Sequence, residues 1–254
     1  MLIAVAGATG RLGTHIVEVL KERGHGVVPI SRSHGVDVIT GEGLEQALAG
    51  VEVIIDAATG PSPDGAEATA FFTAAARNLH ETGAAAGVRR MVVVSIIGID
   101  SLQGGYSVAK VAHEREALAG PIPVRILRAS QFHEFVAQLL DWSTQGEVGY
   151  VGEVRTQLVA ARSVAEAMVD LATDASPADD GTRPFAEIAG PRAESFVDAA
   201  TLLAAKRGFP TKVEVATNPA DPDAEANANG VLLPGPDALL AGPTFEEWLE
   251  TSEV

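Results

Sequence analysis

The sequence predicts an α/β fold: a doubly wound parallel sheet with helices on both faces and a small carboxy-terminal subdomain. Three features of the 254 residues carry that expectation. A strand-like run over residues 1–6 opens the chain, a glycine turn follows at once, and an amphipathic stretch succeeds the turn. Short apolar runs then alternate with longer helical patterns to about residue 130, the signature of strands joined by crossover helices. After residue 130 the alternation loosens, so 1–130 reads as the core of one domain and 131–254 as a mixed part that includes the small subdomain.

The elements follow in order. Residues 1–6 form the first strand, and residues 12–23 the first helix, with Leu12, Ile16, Val17 and Leu20 on one face. Residues 27–30 read as a second strand, 36–39 as a further short strand and 44–49 as a short helix. Residues 51–57 are a buried strand, apolar except for Glu52 and Asp56. Pro61, Pro63 and Gly65 break the chain before an Ala-rich helix over 66–86. Residues 91–95 read as the next strand, an apolar run closed by Ser95, as a central parallel strand is. Residues 106–118 read as helix and 124–127 as strand. Farther on, a helix over 131–142 is expected, capped by Ser130, with short strands at 148–151 and 157–159. Helices at 163–173 and 193–207 follow, the second stopped by Gly208. Residues 218–229 are polar and Pro-containing, a loop, and Thr244 with Glu247 has the spacing of a capping box for a last helix ending near Leu249.

Composition narrows the function classes. A net charge of −16 repels nucleic acid and anionic membranes, and Arg89-Arg90 is an isolated basic pair rather than a patch. The absence of cysteine removes disulfides, thiolate nucleophiles and thiolate metal sites, and is compatible with a cytoplasmic protein. The apolar stretch 91–99 is far too short to span a bilayer. His15, His25 and His80 are scattered without metal-ligand spacing, so no metal is expected, and no G-x-S-x-G elbow supports serine hydrolysis. The expected partner is a small-molecule substrate.

Gly7-Ala8-Thr9-Gly10-Arg11-Leu12-Gly13 lies between the first strand and the first helix. In that context Gly7 permits the tight turn, Gly10 lets the backbone approach a pyrophosphate, and Gly13 lets helix and strand pack closely. The amides at the helix start then face the anion. At the end of strand two, where an acid would bond both ribose hydroxyls of NAD(H), the chain reads Pro29-Ile30-Ser31-Arg32-Ser33-His34. Ser31 and Arg32 suit a 2′-phosphate instead, and Arg11 adds positive charge, so NADP(H) is expected over NAD(H).

Tyr106 and Lys110 stand four residues apart, on one face of a helix that follows the central strand. An ammonium beside a phenol stabilises the phenolate, and such a tyrosine gives a proton to a carbonyl oxygen as hydride arrives at carbon. His133, one residue past Phe132, is a candidate proton relay, although a histidine at a helix start is more often a surface or capping residue. Phe132, Phe135, Trp142 and Tyr150 suit an apolar pocket or simply a core.

The glycine turn, the run Val93-Val94-Ser95-Ile96-Ile97-Gly98 and Tyr106…Lys110 together resemble the atypical short-chain dehydrogenase/reductase superfamily, and within it the NmrA-like, NAD(P)H-binding group. Leu127-Arg128-Ala129-Ser130-Gln131-Phe132 is similar to that group's segment beside the nicotinamide, and Phe245-Glu246-Glu247-Trp248-Leu249 to its common ending. The resemblance implies a Rossmann fold with the nucleotide held by Gly7, Ala8, Thr9, Gly10, Arg11, Leu12 and Gly13, by Ser31 and Arg32, by Ala57, Ala58 and Thr59, by Lys110, and by Ala129 and Gln131. It also implies adenine-side contacts from Asp37 and Val38, catalysis by Tyr106, Lys110 and Ser95, and substrate contacts from Phe132 and His133. Family members place a catalytic Ser or Thr a little past the strand, whereas Ser95 closes the strand and Ile96-Ile97 follow, which weakens carbonyl polarisation by Ser95. The reading is an NADP(H)-dependent oxidoreductase acting on a small carbonyl or quinone. Two others stay open: a redox sensor that binds NADP(H) and a protein partner without turnover, and an isomerase or epimerase using its bound cofactor transiently. The resemblance also implies a homodimer pairing through helices 66–86 and 106–118, the faces that pair in many relatives of this kind.

Overall fold

The computed structural model describes residues 1–60, 62–175, 177–179, 184–218 and 220–252; Pro61 and Pro219 lie outside the described residues. The fold is Rossmann α/β, with seven parallel strands and flanking helices. In chain order the strands and helices are β1 (Leu2–Ala6), α1 (Arg11–Glu22), β2 (Gly26–Ile30), α2 (Leu44–Leu48), β3 (Val53–Asp56), α3 (Gly65–Ala86), β4 (Arg90–Ile96), α4 (Gly105–Ala119) and β5 (Val124–Ala129). Then come α5 (His133–Ser143), β6 (Thr144–Gln145), β7 (Val148–Gly152), β8 (Arg155–Thr156), α6 (Ala161–Thr173), β9 (Ala186–Ala189) and β10 (Glu194–Ser195). Last are α7 (Phe196–Arg207), β11 (Lys212–Ala216), α8 (Ala224–Ala228), β12 (Leu239–Leu240) and α9 (Phe245–Thr251). No helix among the described residues is long and apolar enough to cross a membrane.

The chain divides into two compact units. The first comprises Met1–Ser95, Gly105–Arg128 and Val164–Ala186. Its strands run in the order β2-β1-β3-β4-β5. Beta1 pairs in parallel with β2 on one side and β3 on the other, and β3 in parallel with β4. The chain therefore changes direction across the sheet between β1 and β3, and the carboxyl ends of those two strands form the crevice where α/β sheets bind ligands. Ile30, Ile54, Leu79, Met91, Val93 and Ile126 belong to one buried cluster that fixes these strands beneath the helices. Alpha3 starts on Asp64, whose carboxylate accepts from the Ala66 and Glu67 amides, and ends on Gly87 at φ +82°. Its first residue meets the first residue of α4: a Cβ built on Gly65 would sit 2.6 Å from the Gly105 Cα. That contact sets where α4, and with it Tyr106, begins.

One predicted strand is absent. Residues 36–39 form no strand; the Asp37 carboxylate accepts from the amides of Ile39 and Thr40, an Asx turn that bends the backbone out of extension.

The second unit comprises Ile96–Gly104, Ala129–Ser163 and Glu187–Val254. Its core gathers Val136, Leu140, Val151, Phe196, Leu203 and Phe245. Beta7 pairs in parallel with β11 and antiparallel with β6, and β12 pairs in parallel with β9. The capping box at Thr244 and Glu247 forms as expected, and Gly208 ends α7 at φ +71°. Several local expectations are corrected. Ser130 does not cap a helix: its hydroxyl lies 3.3 Å from that of Thr156, and α5 starts two residues later than expected, behind Phe132. The strand expected at 157–159 is instead β8 just before it, with a single bridge between Val159 and Phe132. Residues 194–195 are strand, so α7 is shorter than expected and capped by the Ser195 hydroxyl on the Asp198 amide. The loop at 218–229 contains the short helix α8.

Replacing Gly65 by Ala forces backbone against backbone, which outweighs alanine's helix preference. The substitution is expected to cost about 1–3 kcal/mol in urea unfolding. Unchanged or raised stability would show that the α3–α4 approach is looser than described.

Candidate functional site

The turn after β1 is held by its glycines. Gly7 has φ +76°, and its amide bonds the Ile30 carbonyl at 3.0 Å. A Cβ on Gly7 would lie 2.6 Å from the Ala57 carbonyl oxygen, and one on Gly13 only 2.0 Å from the Gly7 carbonyl oxygen. Both positions therefore accept hydrogen alone. Gly10 is different: a Cβ there would come no nearer than 3.2 Å to the Gly7 oxygen, and the residue is exposed. Its lack of a side chain leaves room beside the amides that open α1. Gly10 makes no side-chain cap, and no acid stands in the first turn of α1. The partial positive charge of the helix start thus faces outward, with Thr9, Gly10 and Arg11 exposed and Ala8 and Leu12 anchored in the core. This cradle fits a pyrophosphate.

At the end of β2, Arg32–His34 form a 3₁₀ turn closed by Gly35 at φ +73°. Arg32 is exposed, and the Ser31 hydroxyl lies 2.9 Å from the Ser33 hydroxyl and 2.7 Å from His34 Nδ1. The group is cationic and rich in hydroxyls. Asp37 spends its carboxylate on the turn already described, while the Asn78 side chain donates to the Val38 and Ile39 carbonyls at 2.9 and 2.8 Å and pins that loop to α3. A cavity of about 430 Å³ opens beside it, lined by Ile39, Gly60, Ser62, Glu67, Phe71 and neighbouring α3 alanines. Its mostly apolar wall suits a flat ring such as adenine.

Tyr106 and Lys110 lie on one face of α4, but their surroundings differ. Tyr106 is half-buried; its ring meets Phe72 edge-on, and its hydroxyl is 3.3 Å from that of Thr59, in the turn after β3. Lys110 is buried. Its ammonium donates to the Val94 carbonyl at 2.8 Å and to His113 Nδ1 at 3.0 Å, and sits 4.5 Å from the centre of the Phe72 ring. These bonds use two of its three N–H groups and leave one for a ribose hydroxyl. His113 Nε2 is 3.0 Å from Asp56 Oδ2, and Asp56 Oδ1 accepts from the Ala58 amide at 3.0 Å. Asp56 and His113 are both 1% exposed. Burial works to raise the Asp56 carboxyl, but the hydrogen bond from His113, the Ala58 amide and the Lys110 charge outweigh it and hold the group below the usual carboxylate range. Burial and the Lys110 charge push His113 down against the pull of Asp56 and Glu114, so the ring is neutral, with its proton on Nε2 facing the carboxylate. Burial brings Lys110 down to about 8, opposed by Asp56 and Glu114.

Asp56 and His113 escaped the sequence reading. The available signals were an acid closing an otherwise apolar strand and a histidine one turn beyond Lys110; neither pairs with anything until the fold joins them. Ser95 is 2% exposed and its hydroxyl has no hydrogen-bond partner among the described residues.

Ala129, Gln131, Phe132 and His133 belong to the second unit. Ala129 is buried and accepts from the Ile97 amide; the Gln131 carbonyl accepts from Val159; Phe132 stands at the N-cap of α5. His133 is neither a surface nor a capping residue: it is 0% exposed, with ring centroids 5.5 Å from Phe245 and 5.3 Å from Trp248. Neither ring nitrogen makes a well-formed hydrogen bond among the described residues, and burial brings its pKa down to about 4 against a weak pull from the Leu158 carbonyl. As placed, it packs the core of the second unit.

A family model described as NAD(P)H-binding matches residues 7–175. A search of curated proteins finds no match. Solved structures of like fold include MoeE5 with UDP-glucose and NAD, at 21% identity and a TM-score of 0.70 over 99% of this chain and 97% of that one. The NADPH-dependent quinone oxidoreductase QOR2 of Escherichia coli, complexed with NADPH, is 18% identical, with a TM-score of 0.69 over 98% of each chain. The UDP-glucose 4-epimerase of Thermotoga maritima is 16% identical, with a TM-score of 0.67 over 95% of this chain and 90% of that one. At such identities the likeness is one of fold.

The His133 ring gives a stability signature. It is neutral in the folded chain and ordinary in the unfolded one, so the unfolded state binds the extra proton between pH 6.5 and about 4, and stability falls as pH drops through that window. Relative to a His133→Phe variant, the wild type is expected to lose about 3 kcal/mol between pH 7 and pH 4 in urea unfolding. Equal losses in both chains would contradict the buried, neutral ring.

Proposed function

We propose, from the premise that this chain belongs to the NAD(P)H-binding family, that it is an NADP(H)-dependent oxidoreductase reducing a small apolar carbonyl or quinone. The observation that carries the reading is the phenol of Tyr106 held 3.3 Å from Thr59, on the turn beside the glycine cradle, with Lys110 on the same helix face. The cradle of Gly7, Gly10 and Gly13 supports pyrophosphate binding, with the amides opening α1 as donors. Arg32 and Ser31, with no acid between Ile30 and Val36, support a 2′-phosphate on the adenosine ribose. When bound, the nucleotide supplies hydride. Tyr106 gives its proton to the substrate oxygen as negative charge develops there, and the Lys110 ammonium stabilises the phenolate that remains. The third N–H of Lys110 is the donor for a nicotinamide ribose hydroxyl. Quinones and enones are favoured acceptors because the buried Ser95 hydroxyl supports no second donor to a substrate carbonyl; QOR2, of like fold, is named as a quinone oxidoreductase. The same burial favours the sensor as second reading: a chain that binds both redox forms of the nucleotide and reduces nothing.

The test follows NADPH oxidation at its absorbance band against quinones, enones and aldehydes. Tyr106→Phe keeps the ring on Phe72 and removes the proton. It is expected to lower kcat by about 10²–10⁴-fold with NADPH affinity nearly unchanged. Full activity in that variant would take tyrosine out of the mechanism, and no turnover by the wild type would favour the sensor.

A further inference from the structure

We propose that Asp56 and His113 are positioning residues for the proton-handling pair: one buried chain of hydrogen bonds runs from the Ala58 amide through the Asp56 carboxylate and the His113 ring to the Lys110 ammonium, and fixes both its place and its charge. This rests on the reading of Tyr106 and Lys110 given above.

The chain has one consistent arrangement of protons. Both Asp56 oxygens must accept, one from the Ala58 amide and one from His113 Nε2, each at 3.0 Å. The proton on Nε2 leaves Nδ1 as a lone pair, which accepts from Lys110 at 3.0 Å. Phe72 closes the chain from α3: its ring stacks on His113 at 4.8 Å and 20°, and lies under the Lys110 ammonium. The ammonium has therefore exchanged water for a carbonyl, an imidazole lone pair and an aromatic face. The charged and titratable groups of this neighbourhood are Asp56 from β3, His113 and Glu114 from α4 with Tyr106 one turn earlier on the same helix, His80 from α3, on which Asp56 also acts, and Arg128 from β5, whose guanidinium engages Glu114 at 2.7 and 2.8 Å. Glu114 is thus committed to Arg128, which leaves Asp56 as the counter-charge that reaches Lys110 through His113. The Ala58 end lies in the turn that carries Thr59, the partner of Tyr106. The same carboxylate so ties the lysine to the turn expected to hold the nucleotide.

Asparagine at position 56 cannot satisfy this arrangement. Its amide offers one acceptor where two are required, so either the Ala58 amide or the His113 proton is stranded. If the ring turns its proton to Nδ1, two donors face each other at Lys110.

The full-length chain, with saturating NADPH, is titrated by NMR after labelling with ¹³Cε-lysine. It has four lysines, Lys21, Lys110, Lys206 and Lys212, and Lys110→Arg identifies the signal of interest. Lys110 is expected to titrate near pH 8 in the wild type. It should fall by about one unit or more in Asp56→Asn and His113→Leu, and stay close to wild type in His113→Gln, whose amide both donates and accepts. The alkaline limb of the pH–rate profile for the best acceptor should move down with it, and ¹⁵N spectra should show His113 neutral with its proton on Nε2. A Lys110 signal in folded Asp56→Asn that titrates as in the wild type overturns the proposal. Should the variants fail to fold, a wild-type Lys110 titrating near 10.5, or a proton on Nδ1, overturns it without them. Titrations that move as described in a chain that turns over no acceptor leave this chain of bonds standing and remove the hydride-transfer reading. Turnover with unmoved titrations does the reverse.

Discussion

The contact on which the rest depends is the approach of Gly13 to the Gly7 carbonyl. With the Cβ position 2.0 Å from that oxygen, α1 can close on β1 only if residue 13 has no side chain. The same closure brings Gly7 against Ala57, so the turns after β1 and β3 become neighbours at the point where the strand order reverses. The direction of the first α1 amides, the opening at Gly10 and the place of Thr59 all follow from those two backbone contacts. Alpha4 is set by a contact of the same kind, between Gly65 and Gly105. Close backbone approach, rather than side-chain bonding, places the pieces of the site in the first unit.

Charge then distinguishes the site from ordinary packing. An interior of this kind penalises each unpaired ion by several kcal/mol. Asp56 nonetheless stays ionised, because every acceptor position it must fill is filled by a fixed donor. Burial outweighs the two opposing carboxylates and brings Lys110 down to about 8, close to the neutral range. A cation poised in that way, one helical turn beyond a phenol on the same face of α4, suits proton transfer better than a solvated surface lysine would. His133 is the contrast: equally buried, its ring makes no well-formed hydrogen bond among the described residues and remains neutral, packed against Phe245 and Trp248.

Local signals in the sequence explain why some features were legible. The turn from β1 to α1 was readable because glycine spacing and the change from strand to helix period coincide within seven residues, 7–13. Gly208 and the Thr244–Glu247 box were readable because caps are set by neighbours in sequence. Residues 36–39 misled because Val36, Val38 and Ile39 look like a strand, whereas the Asp37 side chain bonds its own following amides. Beta11 alternates in sequence but sits among turn residues, and β12 is too short for any period to show. The pairing of Asp56 with His113 spans 57 positions, which no local pattern encodes. The residues of the family resemblance were visible as types; which of them share a hydrogen bond was not.

The central claim is that the cradle of Gly7, Gly10 and Gly13 receives a dinucleotide with a 2′-phosphate. Calorimetric titration of the purified chain with NADPH, and in parallel with NADH, tests it most directly. The account predicts one saturable site per chain, with NADPH bound at least about tenfold more tightly, as one charge-assisted bond from Arg32 would give. No binding of either nucleotide would contradict it.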